Sequence, residues 1–171
     1  VYSAGNSELP LPVSERMALP TRPEFHLPLR LRIPEAASIL LETKQHGREE
    51  AIALLNYLVL GWLASSPPGR LSFSLCDPVG LGASFAGLMH LADYEDLLIN
   101  TRIRTQPDQI ERRLGELCDH MEKVIQMYLR NEYATITEYN EQAGSVAEKY
   151  HFLIVADFPA NFSEVAARRL Q

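Results

Sequence analysis

Residues 42–49 lie where a mononucleotide-binding α/β fold would place its phosphate loop, between a predicted first strand and a predicted first helix. The amides of such a loop and the N-terminus of the helix supply positive potential to a phosphate group. The full signature is G-x-x-x-x-G-K-[S/T], in which glycines wrap phosphate, lysine neutralises it and the hydroxyl binds Mg²⁺. Only Gly47 of that signature is present in this chain.

The other positions of this loop oppose nucleotide binding. Glu42 stands in place of the first glycine and resists a tight wrap, while Arg48 keeps the positive charge without the compact ammonium geometry. Glu49 places a carboxylate where the hydroxyl would be, and like charges about 4 Å apart repel by roughly 4 kcal/mol at an effective dielectric near 20. We therefore predict a degenerate cofactor loop at Gly47, Arg48 and Glu49, with no cofactor bound. In an active alternative the cofactor would be ATP with Mg²⁺.

The elements that position this loop are predicted from hydrophobic periodicity. A short apolar run at residues 38–41 favours a buried parallel strand, and residues 48–64 form a helix that is apolar on most sides. Residues 71–75 alternate as a second strand that ends at Asp77-Pro78. This order predicts a βαβ unit with a right-handed crossover. A short helix follows Gly80-Leu81-Gly82, a turn whose amides could alternatively cradle an anion.

The second half of the chain continues the alternation of strands and helices. Residues 97–103 are predicted to form a strand, and Pro107 suits the first turn of a long amphipathic helix. A polar connector around Tyr139 and Asn140 leads to a strand at 152–155, and a last helix begins near residue 161 with Ser163 as its N-cap. The stripe of the long helix consists of Ile110, Leu114, Leu117, Cys118, Met121, Val124, Ile125 and Tyr128.

Residues 1–36 are rich in proline and predict an extended arm or linker, with residues 25–31 as an alternative edge strand. Residues 37–171 form the predicted α/β domain. The chain begins at Val1 and ends after Arg168-Arg169, and we expect it to be a piece of a longer protein.

Composition limits the function classes. With 46% hydrophobic and 22% charged residues, the chain suits one globular domain. Its net charge of −6 argues against a broad DNA-gripping face. No membrane-length apolar run occurs, so we expect no membrane contact by this segment, and we expect Cys76 and Cys118 to be reduced thiols of a cytoplasmic protein.

Three motifs in order resemble the motor core of the FtsK/SpoIIIE family of DNA-translocating ATPases. Residues 71–78, LSFSLCDP, look like the family strand that ends in isoleucine-aspartate-proline. Residues 99–140, with Arg130-Asn131 and Tyr139-Asn140, resemble the stretch ending in RNLAGYN. Residues 152–158, FLIVADF, are similar to the Walker B strand. The resemblance covers about residues 37–170 and implies a RecA-like, P-loop-NTPase-type three-layer α/β sandwich with a mostly parallel sheet.

The Walker B match departs from the family at the charged positions. The metal-associated aspartate of the family falls on Ala156, and the catalytic glutamate falls on Asp157, which is one methylene shorter. An error of about 1 Å in placing a catalytic group can cost around a hundredfold in rate. The resemblance therefore implies that Asp157 is a weak catalytic candidate and that the chain is not an ATPase.

The family order also implies a strand after the Walker B strand that inserts beside the first strand. We expect this strand to come from residues outside the chain, to be replaced by direct pairing of the first and Walker B strands, or to be supplied by a second copy. Homo-oligomerisation is therefore expected.

The resemblance implies a pseudo-ATPase that acts as a structural or regulatory module of a larger translocase-like ATPase. Its partners would be other motor domains of the same parent protein or ring subunits, with DNA reached through the parent. Two alternatives stay open: an active or nucleotide-sensing ATPase domain, and a degenerate domain of a type VII secretion motor.

Two further groups of residues carry side chains that could do chemistry. Asp77 and Asp157 both follow strands and could face one crevice as paired acid/base carboxylates. The histidines show no metal-ligand spacing, so no metal site is predicted from them: His26, His46, His90, His120 and His151.

Overall fold

The computed structural model describes residues 38–44, 46–94, 98–99, 102–130 and 132–170. The chain divides into two compact units, Val1–Leu40 and Leu41–Gln171, and every helix and strand below belongs to the second. The predicted arm at 1–36 and its alternative edge strand lie outside the described residues.

Helices and strands alternate along the second unit. The strands are β1 (Leu71–Cys76) and β2 (Tyr150–Val155), and the α-helices are α1 (Arg48–Ser65), α2 (Pro107–Val124), α3 (Ile136–Ala143) and α4 (Glu164–Arg168). Two 3₁₀ segments, Ala83–Asp93 and Gly144–Val146, and one π turn, Ile125–Leu129, complete the order. The predictions of α1, α2, α4, β1 and β2 are confirmed.

The two strands form a parallel sheet. Their register runs from Leu71 opposite Tyr150 to Cys76 opposite Val155. Every residue of β1 is buried, which is typical of a parallel strand covered on both faces. The sheet is thus the centre of a mixed α/β unit.

Helices cover both faces of this sheet. On one face, the indole of Trp62 in α1 stacks on Phe152 with ring centroids 4.6 Å apart, and Phe152 stacks on Phe73 at 5.3 Å. On the other face, a core cluster from β1, α2 and α4 contains Cys76, Ile110, Leu114 and Ala166. The alternation of side chains along a strand sends neighbours to opposite faces, so both layers are built from the same two strands.

The predicted strand at 38–41 is wrong. These residues have no strand pairing, and Leu40 is 75% exposed. The three apolar residues after Ser38 carry no periodicity of their own, and a strand exists only where a neighbour accepts its backbone hydrogen bonds. The predicted βαβ unit around α1 is therefore not formed in the described part of the chain, where the parallel pair is β1 with β2.

The strand predicted at 97–103 is reduced to isolated contacts with β1. The amide of Phe73 donates to Leu98 O at 2.7 Å, and Arg104 both donates to Leu75 O and accepts from Asp77 N at 2.9 Å. Residues 97, 100 and 101 lie outside the described residues, and among those described at 98–99 and 102–104 the Cys76–Arg104 pair forms the one bridge. The described residues of this segment contact β1 on the edge opposite β2.

Two further predictions need correction. The connector around Tyr139 and Asn140 contains helix α3. Its N-cap Thr135 accepts from Glu138 N, as in a capping box, and the Glu138 carboxylate accepts from the amide one residue before the cap, Ala134 N, at 2.8 Å. The stripe of the long helix is buried only in its first half and at Val124, since Met121 and Ile125 are more than half exposed.

Candidate functional site

The carboxyl ends of β1 and β2 and the N-terminus of α1 meet at one polar site. Gly47, with φ of 98°, immediately precedes α1, so Arg48 is the first helical residue. Asp77 follows β1, and Asp157 follows β2 by two residues. Parallel strands present their carboxyl ends at one edge, which is where α/β folds bind ligands.

Arg48 and Asp157 form a bidentate ion pair. Arg48 Nε donates to Asp157 Oδ1 at 2.7 Å, and Arg48 Nη2 donates to Oδ2 at 2.5 Å. The Asp157 side chain is 19% exposed, whereas that of Arg48 is 45% exposed. Fork-to-fork geometry is the strongest pairing available to these two groups. Asp157 has φ of 54°, a left-handed conformation that aspartate tolerates better than most residues.

Asp77 is a buried structural carboxylate. Its side chain is 0% exposed and accepts three backbone hydrogen bonds, from Gly80 N at 2.9 Å and from Gly82 N and Ser84 N at 3.0 Å. The turn that could have cradled an external anion is therefore filled by the carboxylate of its own chain. A carboxylate held this way by amides is not exposed for acid/base work.

Ser84 and Asn56 connect α1 to this turn. Arg48 Nη2 donates to Ser84 Oγ at 3.3 Å, and Asn56 Nδ2 donates to Ser84 O at 2.9 Å. Asn56 also donates to Ile52 O within its own helix, so both of its amide protons are used. These bonds hold the helix start and the 3₁₀ segment in one arrangement around Arg48.

The electrostatics of the site favour a charged Arg48. The hydrogen bond with Asp157 raises the pKa of the Arg48 guanidinium, desolvation lowers it by less, and the charges of Asp157, Asp77 and Glu49 raise it further. The distance from Arg48 Nη2 to Asp77 Oδ1 is 4.0 Å. Glu49 and Glu50 lie exposed in the first turn of α1, where carboxylates interact favourably with the helix dipole. One cation thus faces several carboxylates.

The structure places all four site residues predicted from the sequence near one another and pairs two of them. Gly47 and Arg48 lie at the helix start, Asp157 is paired with Arg48, and Glu49 is exposed beside them. Ala156 is buried. Sequence reasoning missed Ser84 and Asn56, although Asn56 interrupts an otherwise apolar stretch of α1. That interruption was the available signal, because a polar side chain in a packed helix face needs a partner.

These features define a parallel α/β domain with a polar, internally neutralised site at the carboxyl ends of its strands. Residues 52–168 match the FtsK/SpoIIIE family, which is more than half of the chain. The chain belongs to the FtsK/SpoIIIE family, as its motifs suggested, and this membership implies a P-loop NTPase fold. The match begins after Gly47, Arg48 and Glu49. Searches of curated proteins and of solved structures gave no match.

Among the helices in the described residues, none combines the length and apolar character needed to cross a bilayer.

Proposed function

We propose that this chain is a degenerate FtsK/SpoIIIE-like motor domain, a pseudo-ATPase that serves as a structural or regulatory module of a larger translocase-like ATPase. The observation that carries the proposal is the bidentate pair of Arg48 with Asp157. These two residues stand for the phosphate-binding cation and the catalytic carboxylate, and here each is the other's partner.

A nucleotide would have to compete with that pair. Bidentate phosphate binding through Nε and Nη2 of Arg48 requires the guanidinium to leave Asp157, and the freed carboxylate would then face the anionic ligand together with Glu49. The pair itself is partly exposed and worth only about 0.5–1 kcal/mol to folding. The pair lowers the affinity for phosphate by more than this. An incoming phosphate loses the Arg48 cation and gains a repulsive carboxylate at about 4 Å.

The backbone amides that could bind phosphate are also engaged. The amides of Gly80, Gly82 and Ser84 all donate to Asp77. An external anion at this turn would have to displace a carboxylate that is covalently part of the chain. This intramolecular competition supports the view that the site stabilises the domain instead of binding ATP.

Calorimetric titration with ATP and Mg²⁺ tests the proposal. We expect no saturable heat at millimolar nucleotide for the wild type or for Arg48→Ala. Saturable binding by the wild type below about 100 μM, roughly 5–6 kcal/mol, that is lost in Arg48→Ala would contradict the proposal and establish the nucleotide-sensing alternative. Glu50→Ala, in the same exposed turn, is the matched control.

We further propose that the domain works through protein contacts, with other motor domains of its parent protein or with ring subunits, and reaches DNA only through that parent. No described strand pairs with the second edge of β2, and such an edge offers backbone groups to a further strand. A further strand there would extend the sheet toward the complete RecA-like three-layer sandwich. Light scattering after gel filtration should detect self-association, and a strictly monomeric sample at high concentration would contradict the homo-oligomer.

A further inference from the structure

Two imidazoles and a carboxylate lie together at the end of β2 opposite to Asp157. His120 belongs to α2, His151 is the second residue of β2, and Glu148 lies in the loop before that strand. Their ligand atoms all lie within 4.8 Å of one another. Because β2 is six residues long, roughly 20 Å of strand separates this cluster from the Arg48–Asp157 pair. The cluster is separate from the Arg48–Asp157 site.

The separations in this cluster suit ligands of one metal ion. His120 Nε2 lies 3.3 Å from Glu148 Oε1, and His151 Nε2 lies 3.9 Å from the same oxygen. The two imidazole rings meet edge to face, with centroids 4.8 Å apart and planes at 65°. Zinc bonds of about 2.0–2.1 Å in tetrahedral geometry place neighbouring ligand atoms about 3.3 Å apart.

His120 Nε2 is a buried atom without a hydrogen-bond partner in the described part of the chain. Its distance to the Glu148 carboxylate would permit a hydrogen bond, but the geometry does not form one. Buried polar atoms are nearly always satisfied, so an orphan of this kind points to a missing partner. A metal ion shared with the carboxylate supplies that partner through the nitrogen lone pair.

The carboxylate of this cluster is held in place by its neighbours. The side-chain amide of Asn140 in α3 forms two hydrogen bonds with the backbone of Glu148. Its Oδ1 accepts from Glu148 N at 2.7 Å, and its Nδ2 donates to Glu148 O at 2.9 Å. The amide of Lys149 donates to Glu148 Oε1 at 3.2 Å. Groups that orient metal ligands are worth about 10–100-fold in metal affinity.

We propose that His120, Glu148 and His151 bind a divalent transition-metal ion of the zinc type. Imidazole and carboxylate ligands suit zinc, and three protein ligands leave a fourth position for water. The bound ion would tie helix α2 to the start of β2, two elements that the sequence separates by more than 20 residues. Its role is to lock the helical layer onto the sheet.

The test is metal binding by the full 171-residue chain after removal of metals with a chelator. Co²⁺ should produce the visible absorption bands of a tetrahedral site, and Zn²⁺ should abolish them and raise the Tm. Replacing a ligand, in His120→Gln or His151→Gln, should weaken Zn²⁺ binding by about 100-fold or more. Asn140→Ala should weaken it by about 10–100-fold through loss of positioning.

Two controls keep the outcome decisive. His90→Gln removes an 86% exposed histidine outside the cluster and should leave Zn²⁺ affinity unchanged. If the ligand variants fail to fold, X-ray absorption of the zinc-loaded wild type should show imidazole and oxygen neighbours without sulfur. A sulfur shell, equal loss of affinity in His90→Gln, or no Zn²⁺-dependent change in Tm up to about 1 mM metal would overturn the proposal.

Discussion

Replacing Asp77 by asparagine tests the buried carboxylate that organises the turn beside Arg48. In the wild type, one oxygen accepts from Gly80 N, and the other accepts from both Gly82 N and Ser84 N. Asparagine keeps the shape of the side chain but has a single acceptor oxygen. In its best orientation the oxygen keeps two amides, and its own NH₂ group faces the amide of Gly80, donor against donor.

The magnitude follows from these three bonds. An amide left without a partner in a buried place costs about 1–3 kcal/mol, and two bonds to a charged acceptor become weaker bonds to a neutral one. We therefore expect Asp77→Asn to lower the free energy of unfolding by about 3 kcal/mol. That is a large part of the roughly 5–15 kcal/mol typical of a folded domain.

Urea unfolding followed by fluorescence measures this loss. The chain has one tryptophan, Trp62, which stacks on Phe152 and so reports the packing of α1 on the sheet. The matched control is Asp93→Asn, whose side chain is 76% exposed, and its effect should stay within about 0.5 kcal/mol. If Asp77→Asn is as stable as this control, the carboxylate does not organise the turn and the reasoning is refuted.

Three further predictions concern packing and thiol reactivity. Gly80→Ala should destabilise the domain by about 2 kcal/mol, because the added Cβ would lie 2.5 Å from Asp77 Oδ2. Gly87→Ala is the control, since a Cβ there has open space and should be near neutral. Equal Tm values for the two variants would contradict this prediction. Trp62→Ala should cost about 3 kcal/mol through loss of the aromatic stack, measured by urea unfolding followed by circular dichroism because the variant has no tryptophan, and a loss below about 1 kcal/mol would show that α1 does not depend on the stack. Burial raises the pKa of the Cys76 thiol to about 11. At pH 8 the thiolate fraction of Cys76 is therefore about a hundredfold below that of a cysteine with the usual pKa. Iodoacetamide should modify the partly exposed Cys118 first. Equal labelling rates in the folded chain, measured by peptide mass spectrometry, would count against the buried position of Cys76.

The sequence determined the elements whose signals are local. Helices α1 and α2, strands β1 and β2 and the N-cap at Ser163 all follow from periodicity, a proline at a helix start or a capping hydroxyl within a few residues. The FtsK/SpoIIIE family was likewise predicted from ordered motifs, and the match over residues 52–168 confirms it. The capping box at Thr135 and Glu138 was an equally local signal for α3 that was overlooked.

Pairings between distant residues depend on how the helices and strands pack. The strand predicted at 38–41 failed because a strand needs a partner that its own residues do not specify. Arg48 and Asp157 are 109 residues apart, and only their places at the helix start and strand end make them partners. The same holds for His120 and His151, which appeared dispersed along the chain. Side-chain sites depend on where elements pack, and packing is set by the whole core and not by any one segment.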